Sequence, residues 1–171
     1  MHQKLQPLLK IRGVKIILEV FFILLVYLII KSWMTHSMVA GPAPQINAQL
    51  LNGEEFNLQA IKGKPVLVHF WASWCGICKM EQNSIEAISK DYRVISVAMK
   101  SGNVSEVQQF MSENKLSFAT INDPTGDLAQ RYGVRAVPAS FIINSQGNIS
   151  FRETGYTTEW GLRIRLWLAA K

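Results

Sequence analysis

The sequence predicts an α/β protein: a central mixed sheet with helices on both faces, behind one N-terminal transmembrane helix. Three observations carry this. The run Val14–Ile30 is apolar on every side. The residues after it alternate strand-like and helix-like blocks. The stretch past position 44 holds roughly 130 residues, one domain of ordinary size. The chain of 171 residues is 49% hydrophobic and 18% charged, which excludes a disordered polymer, a collagen-like repeat and a disulfide-dense miniature. Its formal net charge is +6, but Lys4, Lys10, Arg12, Lys15 and Lys31 flank or enter the apolar run. After position 31 there remain 13 basic and 11 acidic residues, a balance of +2, so nucleic-acid binding loses its main support.

Val14–Ile30 is broken only by Lys15 and Glu19, which stand four apart and can pair near the entry face. At 1.5 Å per residue it spans roughly 25 Å of a ~30 Å hydrocarbon core. Continuing through Trp33 and Met34 closes the gap, with Lys31 and Trp33 suited to the interface. The expected organisation is a cytoplasmic basic lead over 1–13, an anchor over 14–34, a linker over 35–44 and a domain over 45–171. The positive-inside rule sends that domain to the periplasmic, extracytoplasmic side of a cytoplasmic membrane. A cleaved signal peptide is the competing reading; the residues near Ser37 and Ala40–Gly41 make a poor A-x-A site.

Within the domain, Asn52-Gly53 predicts a hairpin turn, because both residues tolerate positive φ. Val66–Trp71 is nearly all apolar and reads as a central strand buried on both faces. Residues 75–90 favour a helix, Arg93–Met99 a second buried strand, and Val104–Asn114 a helix with Val104, Val107, Phe110 and Met111 on one face. Phe118–Ile121 reads as a short strand and Asp127–Tyr132 as a short helix ended by Gly133. Phe141–Ile143 and Ile149–Phe151 flank a Ser-Gln-Gly-Asn turn as a hairpin. Trp160–Ala169 closes the chain as a helix, with Leu162, Leu166 and Trp167 available for packing.

Only two cysteines exist, Cys75 and Cys78, where a predicted strand turns into a predicted helix. Zinc needs about four ligands, and the domain adds only His69 to the two thiols, so no metal site is expected. A purely structural disulfide gains least from the shortest loop. Redox cycling suits the spacing better. A thiolate at a helix N-terminus is stabilised by the unpaired N–H groups, and a sulfur three residues on lies on nearly the same face.

The segment Phe70-Trp-Ala-Ser-Trp-Cys-Gly-Ile-Cys-Lys79 resembles the active-site segment of thioredoxins, and Val134-Arg-Ala-Val-Pro138 resembles their cis-proline loop. With the anchor and Glu81, the chain is most similar to the TlpA/ResA/DsbE-like membrane-anchored thiol:disulfide oxidoreductases. Within them it stands nearest the ScsD-type branch linked to suppression of copper sensitivity. The resemblance implies a thioredoxin fold with TlpA-like extra elements over residues 41–171. It implies an exposed attacking thiolate at Cys75, a buried resolving thiol at Cys78, and a cis Pro138 that turns the Val137 backbone toward an extended client. His69 stands where thioredoxins bury an aspartate; it is a proton shuttle for Cys78 or a core histidine. Glu81, three residues beyond Cys78, is a functional acid near it on the helix or a solvated first-turn acid favoured by the dipole. Asn83 replaces a kink-forming proline, which straightens the helix. Trp71 and Trp74 line a client surface or pack in the core; Met80, Met99 and Met111 read as gap-filling core.

The expected function is disulfide exchange with exported client proteins, without a dissociable cofactor, and with a membrane or periplasmic redox partner resetting the cysteines. The alternative is a non-catalytic module holding a partner protein or Cu(I). Peroxide capture suits the C-x-x-C spacing less.

Overall fold

A computed structural model describes residues 6–61 and 63–171. Of the lead 1–13, residues 1–5 lie outside the described residues, as do the side chains of Lys31 and Trp33. The chain divides into two units at Met34/Thr35.

Helix α1 spans Gln6–His36. Its stretch Gly13–Ile30 is long and apolar enough to cross a membrane. Lys15 Nζ and Glu19 Oε1 stand 3.9 Å apart, the pairing expected at that spacing.

The second unit is a six-stranded mixed sheet with a two-stranded hairpin beside it. In chain order the strands are β1 (Gly41–Pro42), β2 (Asn47–Gln49), β3 (Glu55–Asn57), β4 (Val66–Trp71), β5 (Arg93–Met99), β6 (Ala119–Asp123), β7 (Ala139–Ile143) and β8 (Asn148–Thr154). The helices are α2 (Gly76–Ser89), α3 (Val104–Glu113), α4 (Asp127–Arg131) and α5 (Glu159–Ala169). The sheet order is β1-β8-β7-β4-β5-β6, while β2 and β3 pair around the Asn52-Gly53 turn. Strand β4 runs parallel to β5 and antiparallel to β7, and every one of its residues is buried.

Period-two alternation along β4 assigns each side chain to a face. Val66, Val68 and Phe70 pack beneath α4 and the hairpin, where Phe70, Tyr132 and Phe141 form a ring trio with centroids 5.0 to 5.8 Å apart. Leu67 and Trp71 face α2, α3 and α5, against Ile85, Val107 and Leu162. Both β4–β5 and β5–β6 are parallel neighbours, so α2 and α3 cross on one face. His69 interrupts the apolar set on that face. Its register partners are Ser96 on β5 and Ser140 on β7, and Ser96 in turn pairs with Thr120 on β6. A polar rung thus crosses four strands.

Residues 37–44, expected as linker, are folded into the second unit. Met38 is buried, Ser37 Oγ donates to the Gly133 carbonyl at 3.0 Å, and Val39 N–H donates to Tyr132 O at 3.2 Å. Gly41–Pro42 then adds an edge strand to β8. Apolar Met38 and Val39 have a pocket to fill, which Pro and Gly content alone does not reveal. Two helix faces also differ from expectation. Val104 and Trp167 are exposed, because Val107 and Met111 of α3, and Leu162 and Leu166 of α5, already occupy the space over the sheet.

Candidate active site

The site forms where β4 ends and α2 begins. Cys75 N–H donates to Ala72 O at 3.1 Å, and Ser73 N–H to Ser101 Oγ at 3.0 Å, so the chain turns sharply off the strand. Cys75 then takes the N-cap position of α2 with extended backbone, and its Sγ accepts the Cys78 N–H at 3.1 Å. A sulfur so placed sits at the positive end of a helix of ordinary length, which favours its thiolate when reduced. Cys75 and Cys78 are joined as a disulfide with their Cα atoms 5.3 Å apart.

The loop before β7 lies over this pair. The Val137–Pro138 peptide bond is cis, and the Val137 carbonyl oxygen stands 3.5 Å from Cys75 Sγ. Pro138 O accepts from Gly155 N–H at 2.8 Å, which holds the loop to the end of β8. Cys75 was expected to be exposed. In the disulfide it keeps only 7% of its surface, against 4% for Cys78, because Val137 and the turn cover it. Trp74 is 62% exposed and its Nε1 donates to Lys100 O at 3.0 Å, so it stands at the rim. Trp71 is core, donating to Ser96 Oγ at 3.0 Å. Met80 is exposed rather than core, as it follows the buried Cys78 face by more than half a turn of α2. Helix α2 runs unbroken through Asn83.

Two titratable groups stand behind the pair. His69 is buried; its Nδ1 lies 3.0 Å from Ser140 Oγ, and burial pushes its pKa down to about 3. It is therefore neutral across the working range of most proteins. His69, Cys78, Gln82 and Phe110 line a small cavity of about 10 Å³. Glu81 is fully buried. Its Oε1 accepts the Thr157 N–H at 3.3 Å, and its Oε2 has no hydrogen-bond partner among the described residues. Burial raises its pKa to about 7, against the opposing pull of the Thr157 N–H. The partners Ser140 and Thr157 escape sequence reasoning, since only strand register and the β8–α5 connection bring them to His69 and Glu81.

A bonded cysteine pair capping a helix, beside a cis-proline loop in this sheet, defines a thioredoxin-like redox protein. Comparison with known proteins carries this further. Residues 39–152 match the AhpC/TSA family. A thioredoxin-like protein of Haemophilus influenzae is 34% identical, covering 89% of this chain and 92% of its own length. The thiol:disulfide interchange protein DsbE of Xylella fastidiosa is 30% identical over 77% of this chain and 71% of its own. The crystal structure of StoA from Bacillus subtilis superposes with a TM-score of 0.62 at 30% identity, covering 74% of this chain and 98% of that one. The chain belongs to the thioredoxin-like AhpC/TSA family and is, by this kinship and its cysteine pair, a thiol–disulfide oxidoreductase.

Proposed function

We propose that this protein is a membrane-tethered oxidoreductase that exchanges disulfides with exported client proteins through Cys75 and Cys78. The observation that carries the reading is the Cys75–Cys78 disulfide at the N-terminus of α2, directly under the Val137 carbonyl. α1 supports the tether, and Lys4, Lys10 and Arg12, ahead of its apolar stretch Gly13–Ile30, support a domain on the extracytoplasmic side.

In one direction, reduced Cys75 thiolate attacks a client disulfide. A Cys75–client bond forms, and one client sulfur leaves as thiolate. Cys78 then loses its proton and attacks Cys75 Sγ. The Cys75–Cys78 bond forms and the second client thiolate leaves, so two electrons have passed to the client. In the other direction, a client thiolate attacks oxidised Cys75 and the same steps run backward. The pair itself carries the electrons and no dissociable cofactor is needed. A second redox protein, in the membrane or beyond it, resets the pair.

Glu81 is the better proton acceptor for Cys78. It lies three residues on along α2, and its pKa of about 7 lets it take and return a proton near neutrality. His69, held neutral by burial, acts as a positioning residue through Ser140. Pro138 and Val137 present the backbone that an extended client meets, with Trp74 at the rim. Replacing Cys78 by Ser removes the resolving step, so mixed disulfides with clients accumulate on non-reducing gels and disappear with dithiothreitol. A lane free of such adducts in cells expressing C78S contradicts the reading.

A further inference from the structure

Consecutive residues Ser37, Met38 and Val39 hold both ends of the loop that lies over the cysteine pair. At the first end, Ser37 Oγ donates to Gly133 O at 3.0 Å and Val39 N–H to Tyr132 O at 3.2 Å. The Ser37 carbonyl also closes on the side of Gly133 that a Cβ would fill. At the second end, Met38 Sδ accepts from Thr154 Oγ1 at 3.0 Å, and Met38 O accepts from Arg152 Nη1 at 2.7 Å. Thr154 is the register partner of Ala139, the residue after Pro138, and Arg152 is that of Phe141. The buried side chains agree. Met38, Tyr132, Val134 and Ala139 share one cluster, and Val137 packs against it.

Between those ends the loop has little backbone support of its own. Val134 N–H donates to Ala129 O at 2.9 Å, and Pro138 O accepts from Gly155. Among the described residues, the backbone of Arg135 and Ala136 and the Val137 N–H make no hydrogen bond. An extended client needs those groups unpaired, because a donor already bonded within the protein has nothing to offer an added strand. A segment left open in this way keeps its place through its ends and its side-chain packing. We infer that Met38, with Ser37 beside it, is a positioning residue for disulfide exchange: it braces both ends of the Val134–Pro138 loop and so holds the Val137 backbone over Cys75. The inference rests on the exchange reading and adds to its machinery the short segment that follows α1, which touches neither cysteine. Small displacements of a docking backbone weaken the alignment of a client's sulfur with Cys75, while a disulfide with no peptide backbone does not use the loop.

The test uses the full chain in nanodiscs, with M38A, M38L and S37A/T154V variants. Substrates are a synthetic peptide closed by one disulfide and bis(2-hydroxyethyl) disulfide, which has no peptide backbone. M38A should raise KM for the peptide at least about fivefold, with kcat and the rate on the small disulfide changed less than about twofold. M38L, which keeps the bulk of the side chain, should stay within about twofold of the wild type on both substrates. Hydrogen exchange supplies a readout besides activity. The Gly155 amide, bonded to Pro138 O, should exchange at least about tenfold faster in M38A, while amides of β4 keep their protection. S37A/T154V removes the Ser37–Gly133 and Thr154–Met38 bonds and leaves the core filled, so it repeats the measurement should M38A fold poorly. Peptide KM and Gly155 exchange that match the wild type in M38A and in S37A/T154V overturn the proposal. So does an equal loss on both substrates, the mark of a merely structural effect. A wild type inert toward both disulfides contradicts the exchange reading itself, and the Gly155 amide still decides the brace.

Discussion

Glu81 and His69 show how burial divides labour between two titratable residues. Both lose hydration behind the cysteine pair, yet a carboxyl is driven to keep its proton and an imidazole to shed one. Folded Glu81 holds its proton to about pH 7, whereas the unfolded group releases it near 4.5. The native state therefore binds more protons between those values and loses stability as pH rises through them; below about 4.5 nothing is lost. Glu81→Gln removes that penalty. It should raise urea stability at pH 8 by as much as about 3 kcal/mol while leaving pH 4 unchanged. The same variant should slow the resolving step and erase an inflection near pH 7 in its rate. Equal stability changes at both pH values contradict the buried-carboxylate account.

At the scale of elements, local patterns and long-range packing separate cleanly. Strands β4 and β5 were legible to the residue, because Val66–Trp71 and Arg93–Met99 are apolar runs that only a sheet covered on both faces can bury. Helix α3 was legible from its apolar period; the reciprocal cap of Asn103 and Glu106 that begins it, each side chain accepting the other's backbone N–H, was not read there. The site was legible through C-x-x-C and V-P, which lie in local chemistry. Residues 37–44 were not, because Pro and Gly content describes a flexible link equally well as an edge strand. Their packing depends on Gly133, 89 or more residues away, where φ is +68° and a Cβ would strike the Ser37 carbonyl. Gly133→Ala should cost on the order of 2 kcal/mol in chemical denaturation, and should expose Met38 to oxidation. A variant as stable as the wild type contradicts this account of the segment. Trp167 was misassigned for a related reason: helix period marks apolar positions, but only the area over the sheet limits how many are covered.

At the scale of the whole molecule, a sheet covered on both faces holds a reactive pair at the end of its central strand. The sheet supplies rigidity through the Phe70–Tyr132–Phe141 trio on one face and the Leu67–Ile85–Leu162 cluster on the other. The cis-proline loop and the N-terminus of α2 meet at the cysteine pair. The apolar helix α1 falls in a separate unit, and the cysteine pair lies wholly within the second one. The most direct measurement is equilibration of the full chain in glutathione buffers of graded poise, with trapping of free thiols. Cys75 and Cys78 should convert together as one two-electron couple, at a potential within or near the range of about −270 to −120 mV found for thioredoxin-like pairs. A pair that stays bonded, or stays reduced, across every buffer would contradict the account at its centre.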